Sequence, residues 1–321
     1  MKFKIILPII FAGVMTVGAR ADETADTLSD MYEMYETVGQ FCDGISDRIS
    51  QVSGISKVNT AVTATGTVAA GGALYAGIKK SQTDTEIDEL TKKLCDLGGC
   101  NQKNIEQMSN EEFFNNIMPV LVRIIEIENL RNKIAEKQDE SKRLGNWRTG
   151  LLAGTVGTNV ASAIISGLNK DQSDLIQQVT ACNAAVAKLR DAHNSALANG
   201  ISPIENPIMQ TFASTIKRCG TLNTDDVEKI EKRMTVVMGT SIAGAAIGAV
   251  GTGTSIAANT DAVRNDDTDA GKKKEKTLNT IANVAAGANV ATGLVETGFN
   301  ISLISLTKDL MRSAQECEGT L

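Results

Sequence analysis

The stretch LSDMYEMYETVGQFCDGISDRISQV, residues 28–52, decides the fold class. Leu28, Met31, Tyr35, Val38, Cys42, Ile45, Ile49 and Val52 follow one another at steps of three and four. A helix of 3.6 residues per turn gathers such positions onto one face, whereas a strand needs a period of two. Leu175, Val179, Cys182, Val186 and Leu189 keep the same step, as do Val227, Ile230, Met234 and Val237. No strand-like alternation of any length competes with them. The expected fold is all-α: an elongated bundle of long, partly coiled-coil helices with Gly/Ala-rich close-packed segments.

Helix punctuation agrees. Asn206 before Pro207 has the N-cap and first-turn order, while Ser109 with Glu112 and Thr85 with Asp88 have the capping-box spacing. Breaks are expected at Lys79–Asp84, Gly98–Asn104, near Pro119, at Lys170–Asp171, Gly200–Asn206, Gly220–Asn223 and Asp261–Lys274. About seven or eight helices result.

The N-terminus reads as an export signal. Lys2 and Lys4 precede an apolar run from Ile5 to Gly18, and Ala19-Arg20-Ala21 supplies small residues at the two critical positions. Residues 1–21 are the expected leader, cleaved between Ala21 and Asp22; the apolar core is short of the roughly 20 residues an anchor helix needs. Residues 22–321 are then expected to form one helical-bundle domain in the periplasm or outside the cell, with membrane association as the alternative. Loss of Lys2, Lys4 and Arg20 takes the formal charge from −6 to −9. Such an acidic chain, whose one basic patch is Lys272–Lys276, lacks the basic stripe that a phosphate backbone demands, so nucleic acid is not an expected partner.

Six cysteines, Cys42, Cys95, Cys100, Cys182, Cys219 and Cys317, follow the leader. An even count in an exported chain predicts three disulfides. Cys95 and Cys100 bracket Asp-Leu-Gly-Gly, which suits a local bridge. Cys182 and Cys219 flank a break with Gly200, Pro203 and Pro207, which would pair them across a helical hairpin and leave Cys42 for Cys317.

Four stretches carry almost no charge: Val58–Ile78, Thr149–Asn169, Met234–Thr260 and Thr277–Thr307, the last broken only by Glu296. They hold 16 of the 26 glycines beyond the leader in 100 residues. Each helix-interior glycine costs about 1 kcal/mol relative to alanine, so close contact must offset it. Gly150, Gly154, Thr158, Ser162 and Ser166 recur every four residues, as do Thr240, Gly244, Gly248 and Thr252; both sets are expected to be small-residue helix-packing faces. A short motif also recurs: Gly157-Thr-Asn-Val-Ala, Gly239-Thr-Ser-Ile-Ala, Gly253-Thr-Ser-Ile-Ala and Gly287-Ala-Asn-Val-Ala, with Gly66-Thr-Val-Ala-Ala a looser copy. It records either a duplicated helical hairpin, over 22–200 and 201–321, or one packing solution reused.

These stretches are long enough for a bilayer core of about 30 Å, yet weakly apolar. Val58–Ile78 sets five strongly apolar side chains against four threonines, an asparagine and four glycines. A packed soluble bundle is therefore the first expectation and conditional membrane insertion the second.

Enzymatic activity is not expected. His193 is the one histidine and continues the apolar face through Leu189. No Gly-x-Ser-x-Gly, phosphate-loop or His-Glu-x-x-His motif occurs. Asn265–Gly271 imitates a calcium loop, but Ala270 replaces the required glycine and Lys276 the bidentate glutamate. No cofactor, metal or small-molecule substrate is expected. The reading is an exported structural or interaction protein with a protein partner or self-association; the alternative is a membrane-active helical effector, pore-forming or conditionally inserting.

Overall fold

The computed structural model describes residues 20–100, 117–168, 173–202, 206–264 and 268–321. The expected leader lies outside them except at its end, where the first helix begins at Arg20; Ser109, Glu112, Pro203 and Asn265–Asp267 also lie outside. Of the described residues, 92% are helical and none forms a strand. The chain is an all-α bundle.

Among the described residues there are eight helices: α1 Arg20–Cys42, α2 Ile45–Asp96, α3 Ile117–Leu168, α4 Ser173–Ala198, α5 Pro207–Cys219, α6 Thr224–Ala258, α7 Asp261–Arg264 and α8 Asp269–Glu318. The heptad face of residues 28–52 is shared by α1 and α2, which part at Asp43-Gly44; Gly44 takes φ +76°, a conformation that a Cβ disfavours. Asn206 caps α5, its Oδ1 accepting from the Ile208 N–H at 3.0 Å with Pro207 in the first turn. Thr85 is no cap. It lies inside α2 with its hydroxyl donating to Ser81 O, because Lys79–Asp84 contains neither proline nor glycine and α2 runs on through the expected break.

The described residues form two compact units. Unit 1 comprises those up to Asn59, Ile165–Val237 and Phe299–Leu321; unit 2 comprises Thr60–Ile164 and Met238–Gly298. Unit 1 is built as water-soluble proteins are. The apolar faces read from the sequence converge in its core: Met31, Val38, Ile45, Ile49, Val179, Val186, Leu189, Val227, Ile230 and Leu303 are all buried. Tyr35 packs on Phe212 with ring centroids 5.5 Å apart and donates to the carbonyls of Thr320 and Leu321 at 2.9 and 3.2 Å. Burial pushes its phenol above the ordinary tyrosine value.

Three disulfides form, Cys95–Cys100 as expected. The other two correct the expected pairing: Cys42 joins Cys182 and Cys219 joins Cys317. The inward face of α1 meets that of α4, so Cys42 finds Cys182 before any hairpin partner can. Apolar spacing places each cysteine on an inward face; only the packing says which faces meet. The sulfurs of Cys42, Cys182 and Cys317 lie within 4.8 Å of one another, so the two bridges pack together in the core of unit 1.

Cys95 and Cys100, in unit 2, are exposed. Arg123 donates to Leu97 O at 2.8 Å and Arg131 to Gly99 O at 3.0 Å, pinning the turn between them. Thiol–disulfide exchange needs access to a sulfur, and the other four cysteines are at most 1% exposed. Stepwise reduction of the folded chain, followed by alkylation and mass spectrometry, is therefore expected to label Cys95 and Cys100 first. Simultaneous labelling of all six would contradict the burial.

Candidate functional site

Unit 2 inverts the usual arrangement. Four helical segments each turn inward a seam at steps of three and four, and the seams are made of polar and very small side chains. From α2 come Thr63, Gly66, Ala70, Ala73, Gly77 and Lys80; from α3, Arg148, Leu152, Thr155, Asn159 and Ser162. From α6 come Ser241, Gly244, Gly248, Gly251, Ser255 and Ala258, and from α8, Asn279, Asn283, Ala286, Asn289, Gly293 and Glu296. All are buried save the half-buried Asn279 and Asn283. Among the described residues the apolar cluster in this interior is small: Ala73, Leu152 and Ala286, with the half-buried Leu74 and Leu151 packed against it. Outward stand Val68, Tyr75, Ile78, Val160, Ile164, Ile242, Val250, Ile256, Ile281, Val284 and Leu294, each at least 40% exposed.

The recurring motif obeys the same rule. Its third residue is Asn159, Ser241, Ser255 or Asn289, and all four are buried; its β-branched fourth residue is exposed as Val160, Ile242 and Ile256 and half-buried as Val290. The motif thus puts the polar group in and the apolar group out.

The polar seam is bonded in layers. At one level the Lys80 ammonium, 1% exposed, contacts Asp84 at 2.7 Å and Glu275 at 3.0 Å, and the Ser141 hydroxyl donates to Asp84. Nearby at the surface, hydrogen bonds to Glu86 and Glu140 hold the Lys137 ammonium above the usual lysine range. At the next level the wholly buried Arg148 donates to Ser255 Oγ at 3.0 Å, Asn279 Oδ1 at 2.7 Å and Asn283 Oδ1 at 3.3 Å. Thr149 Oγ1 lies 2.7 Å from Ser255 Oγ and accepts from Asn259 Nδ2 at 3.1 Å. Beyond the apolar layer, the Asn289 amide is satisfied when oriented with its nitrogen on Gly244 O at 2.8 Å and its oxygen on Gly248 N at 3.2 Å, backbone that glycine leaves open. At the last level the hydroxyls of Ser162 and Ser241, 2.9 Å apart, both bond to Oε1 of Glu296.

The expected packing faces divide. Gly244 and Gly248 lie at a true close approach, where a Cβ would meet Asn159 Nδ2 at 2.6 Å and Val156 Cγ2 at 2.9 Å; Thr240 and Thr252 flank them, half-buried. In the other set Ser162 and Ser166 are buried and Thr158 half-buried, but Gly150 and Gly154 are exposed with nothing within 4 Å of a Cβ. A four-residue step turns 400° about the helix axis, so the strip drifts about 40° per step, out of the interface. Gly251, where a Cβ would stand 2.8 Å from Ala285 Cβ, makes the contact instead. Gly251→Leu is expected to destabilise unit 2 by about 1–3 kcal/mol. Gly150→Ala is expected to be neutral or to stabilise by up to about 1 kcal/mol, with both read from denaturant unfolding.

Of these residues, small-residue spacing picks out Ser162, Gly244 and Gly248 but not Arg148, Lys80 or the asparagines, and Glu296 stands in the sequence only as an interruption. The signal was available: polar residues stepping by three and four inside an uncharged stretch. His193 is buried in unit 1, with Nε2 unpartnered.

The described residues hold four helical runs long and apolar enough to cross a membrane: Asp26–Asp96, Leu121–Gly167, Pro207–Ala258 and Asp269–Glu318. Their most apolar 18-residue windows have mean hydropathy 1.2 to 1.6 and are only 28 to 33% buried. No protein-family model, curated protein or solved structure matches the chain.

Proposed function

We propose that this protein is membrane-active rather than enzymatic, and that the four uncharged stretches cross a lipid bilayer as a bundle with a polar interior. The observation that carries this reading is the inversion in unit 2: valine, isoleucine and leucine outward, asparagine, serine, arginine and glutamate inward. In water that arrangement exposes apolar surface and buries polar groups, both unfavourable. In lipid both signs reverse, because the outer face meets hydrocarbon and polar side chains bond across helices inside.

Length and flanking charge fit. The shortest stretches have 21 residues, about 31 Å of helix, matching a hydrocarbon core of about 30 Å. Each is bounded by a charged residue at both ends: Lys57 and Lys79, Arg148 and Lys170, Arg233 and Asp261, Lys276 and Lys308. The weak hydropathy of Val58–Ile78 then has a cause. Averaging along a helix mixes lipid-facing residues with the seam, and only the former must be apolar.

The test is flotation of the purified full chain with phosphatidylcholine–phosphatidylglycerol vesicles, followed by an alkaline carbonate wash. Flotation that survives the wash is expected. If the chain stays at the bottom of the gradient as a defined oligomer, copies of the chain cover the apolar surface and the bilayer reading fails.

A further inference from the structure

Glu296 is the one charged side chain inside the four stretches, and it is 1% exposed. Everything facing it from the other three segments is neutral. α3 brings Ser162, α6 brings Ser241, and α2 brings Thr63, whose hydroxyl accepts from Thr297, the residue next to Glu296, at 3.4 Å. Residues 58–78, 149–169 and 234–260 contain no Asp, Glu, Lys, Arg or His at all. Among the described residues no ion pair includes Glu296. The two buried cations of the seam are engaged elsewhere: Arg148 is held by Asn279 and Asn283, some 20 to 25 Å away along α8 at 1.5 Å per residue, and Lys80 by Asp84 and Glu275, the latter about 30 Å away on the same measure.

A carboxylate withdrawn from water without a counter-charge is strongly disfavoured, and two serine hydroxyls supply dipoles but no charge. The position therefore demands one positive charge from outside the chain. One carboxylate balances a single charge; a divalent ion would leave an excess of one in an otherwise neutral layer. The donors at hand are all oxygen, which suits a hard cation and no soft one.

We propose that Glu296, Ser162 and Ser241 form a binding site for a small monovalent cation, exchanged with water along the polar seam of unit 2. This rests on the membrane reading for its purpose, but the site can be tested apart from it. The shared chemistry is one unit of positive charge on the three oxygens, and either a proton or Na+ supplies it. Asn159, about one turn from Ser162, and Asn289, about two turns from Glu296, offer further neutral oxygens along the seam for an ion in transit.

The experiment follows the thermal midpoint of the full-length chain in detergent, for wild type, Glu296→Gln and the double variant Ser162→Ala/Ser241→Ala. One arm exchanges choline chloride for NaCl at constant ionic strength; the other varies pH at constant choline. Wild type is expected to gain stability with Na+ or with acid, and the arm that responds names the cation. Glu296→Gln, which keeps shape but no charge, is expected to lose that response while remaining folded. The serine variant, which keeps the carboxylate, is expected to respond only at higher cation concentration. Equal responses of wild type and Glu296→Gln in both arms would overturn the proposal. Vesicles carrying wild type are further expected to exchange 22Na+, or to dissipate a pH gradient, faster than those carrying Glu296→Gln. A chain that does not float fails the membrane reading alone, whereas one that floats while Glu296→Gln matches wild type in both arms fails this site alone.

Discussion

Aspartate at an outward position of unit 2 is expected to remove the chain from membranes. Val68, Val250 and Leu294 are 76, 57 and 61% exposed and lie towards the middle of their uncharged stretches. On a protein surface in water, Val68→Asp, Val250→Asp or Leu294→Asp would change stability by within about 0.5 kcal/mol and would improve solubility. Facing lipid at mid-helix, each introduces about 2.5–3.5 kcal/mol of insertion penalty. That is roughly 70- to 400-fold per substitution in the inserted fraction, and the three together should abolish flotation. Asn159→Asp, a charge placed on the inward seam, serves as the comparison for position. Three variants that float as wild type does would place the outer face in water and end the bilayer reading.

The second large effect belongs to unit 1. Removing the Cys42–Cys182 bridge with Cys42→Ala/Cys182→Ala releases a loop spanning 140 positions, which by chain entropy weakens folding by about 5 kcal/mol. The same arithmetic for Cys95–Cys100, which closes five positions, gives only about 2 kcal/mol. Denaturant unfolding of the two double variants should therefore rank them clearly, with unit 1 lost first in the former. The packing of Cys42 and Cys182 beside Cys317 sharpens the contrast, since truncation there also opens a cavity in the core. Equal destabilisation would mean that folding does not depend on the long loop being closed.

Much of unit 1 was legible from the chain. Leu28 to Val52 and Leu175 to Leu189 are apolar at helical spacing, and those residues are its core because burial of an apolar stripe has one solution in water. Its bridges were half legible. That all six cysteines pair follows from their number, but Cys182 is one turn from Val179 and Val186 whichever helix lies opposite.

Unit 2 was legible as helices and not as a site. In Gly157-Thr-Asn-Val-Ala and its copies, small and polar residues sit beside β-branched ones, so neither face dominates by hydropathy. Glycine contents likewise announced close approach without saying where: Gly251 touches Ala285 while Gly150 touches nothing.

By itself, then, the sequence determined that the chain is helical, that cysteines are available to tie the helices, and that four uncharged stretches are too rich in glycine and threonine for an ordinary core. Helix formation and spacing are local, set by residues within four positions of one another. Which face turns inward was decided by tertiary structure alone, since Glu296 meets Ser162 and Ser241 across 134 and 55 positions. A buried polar group is tolerated only when such distant partners arrive, and no window along the chain contains them.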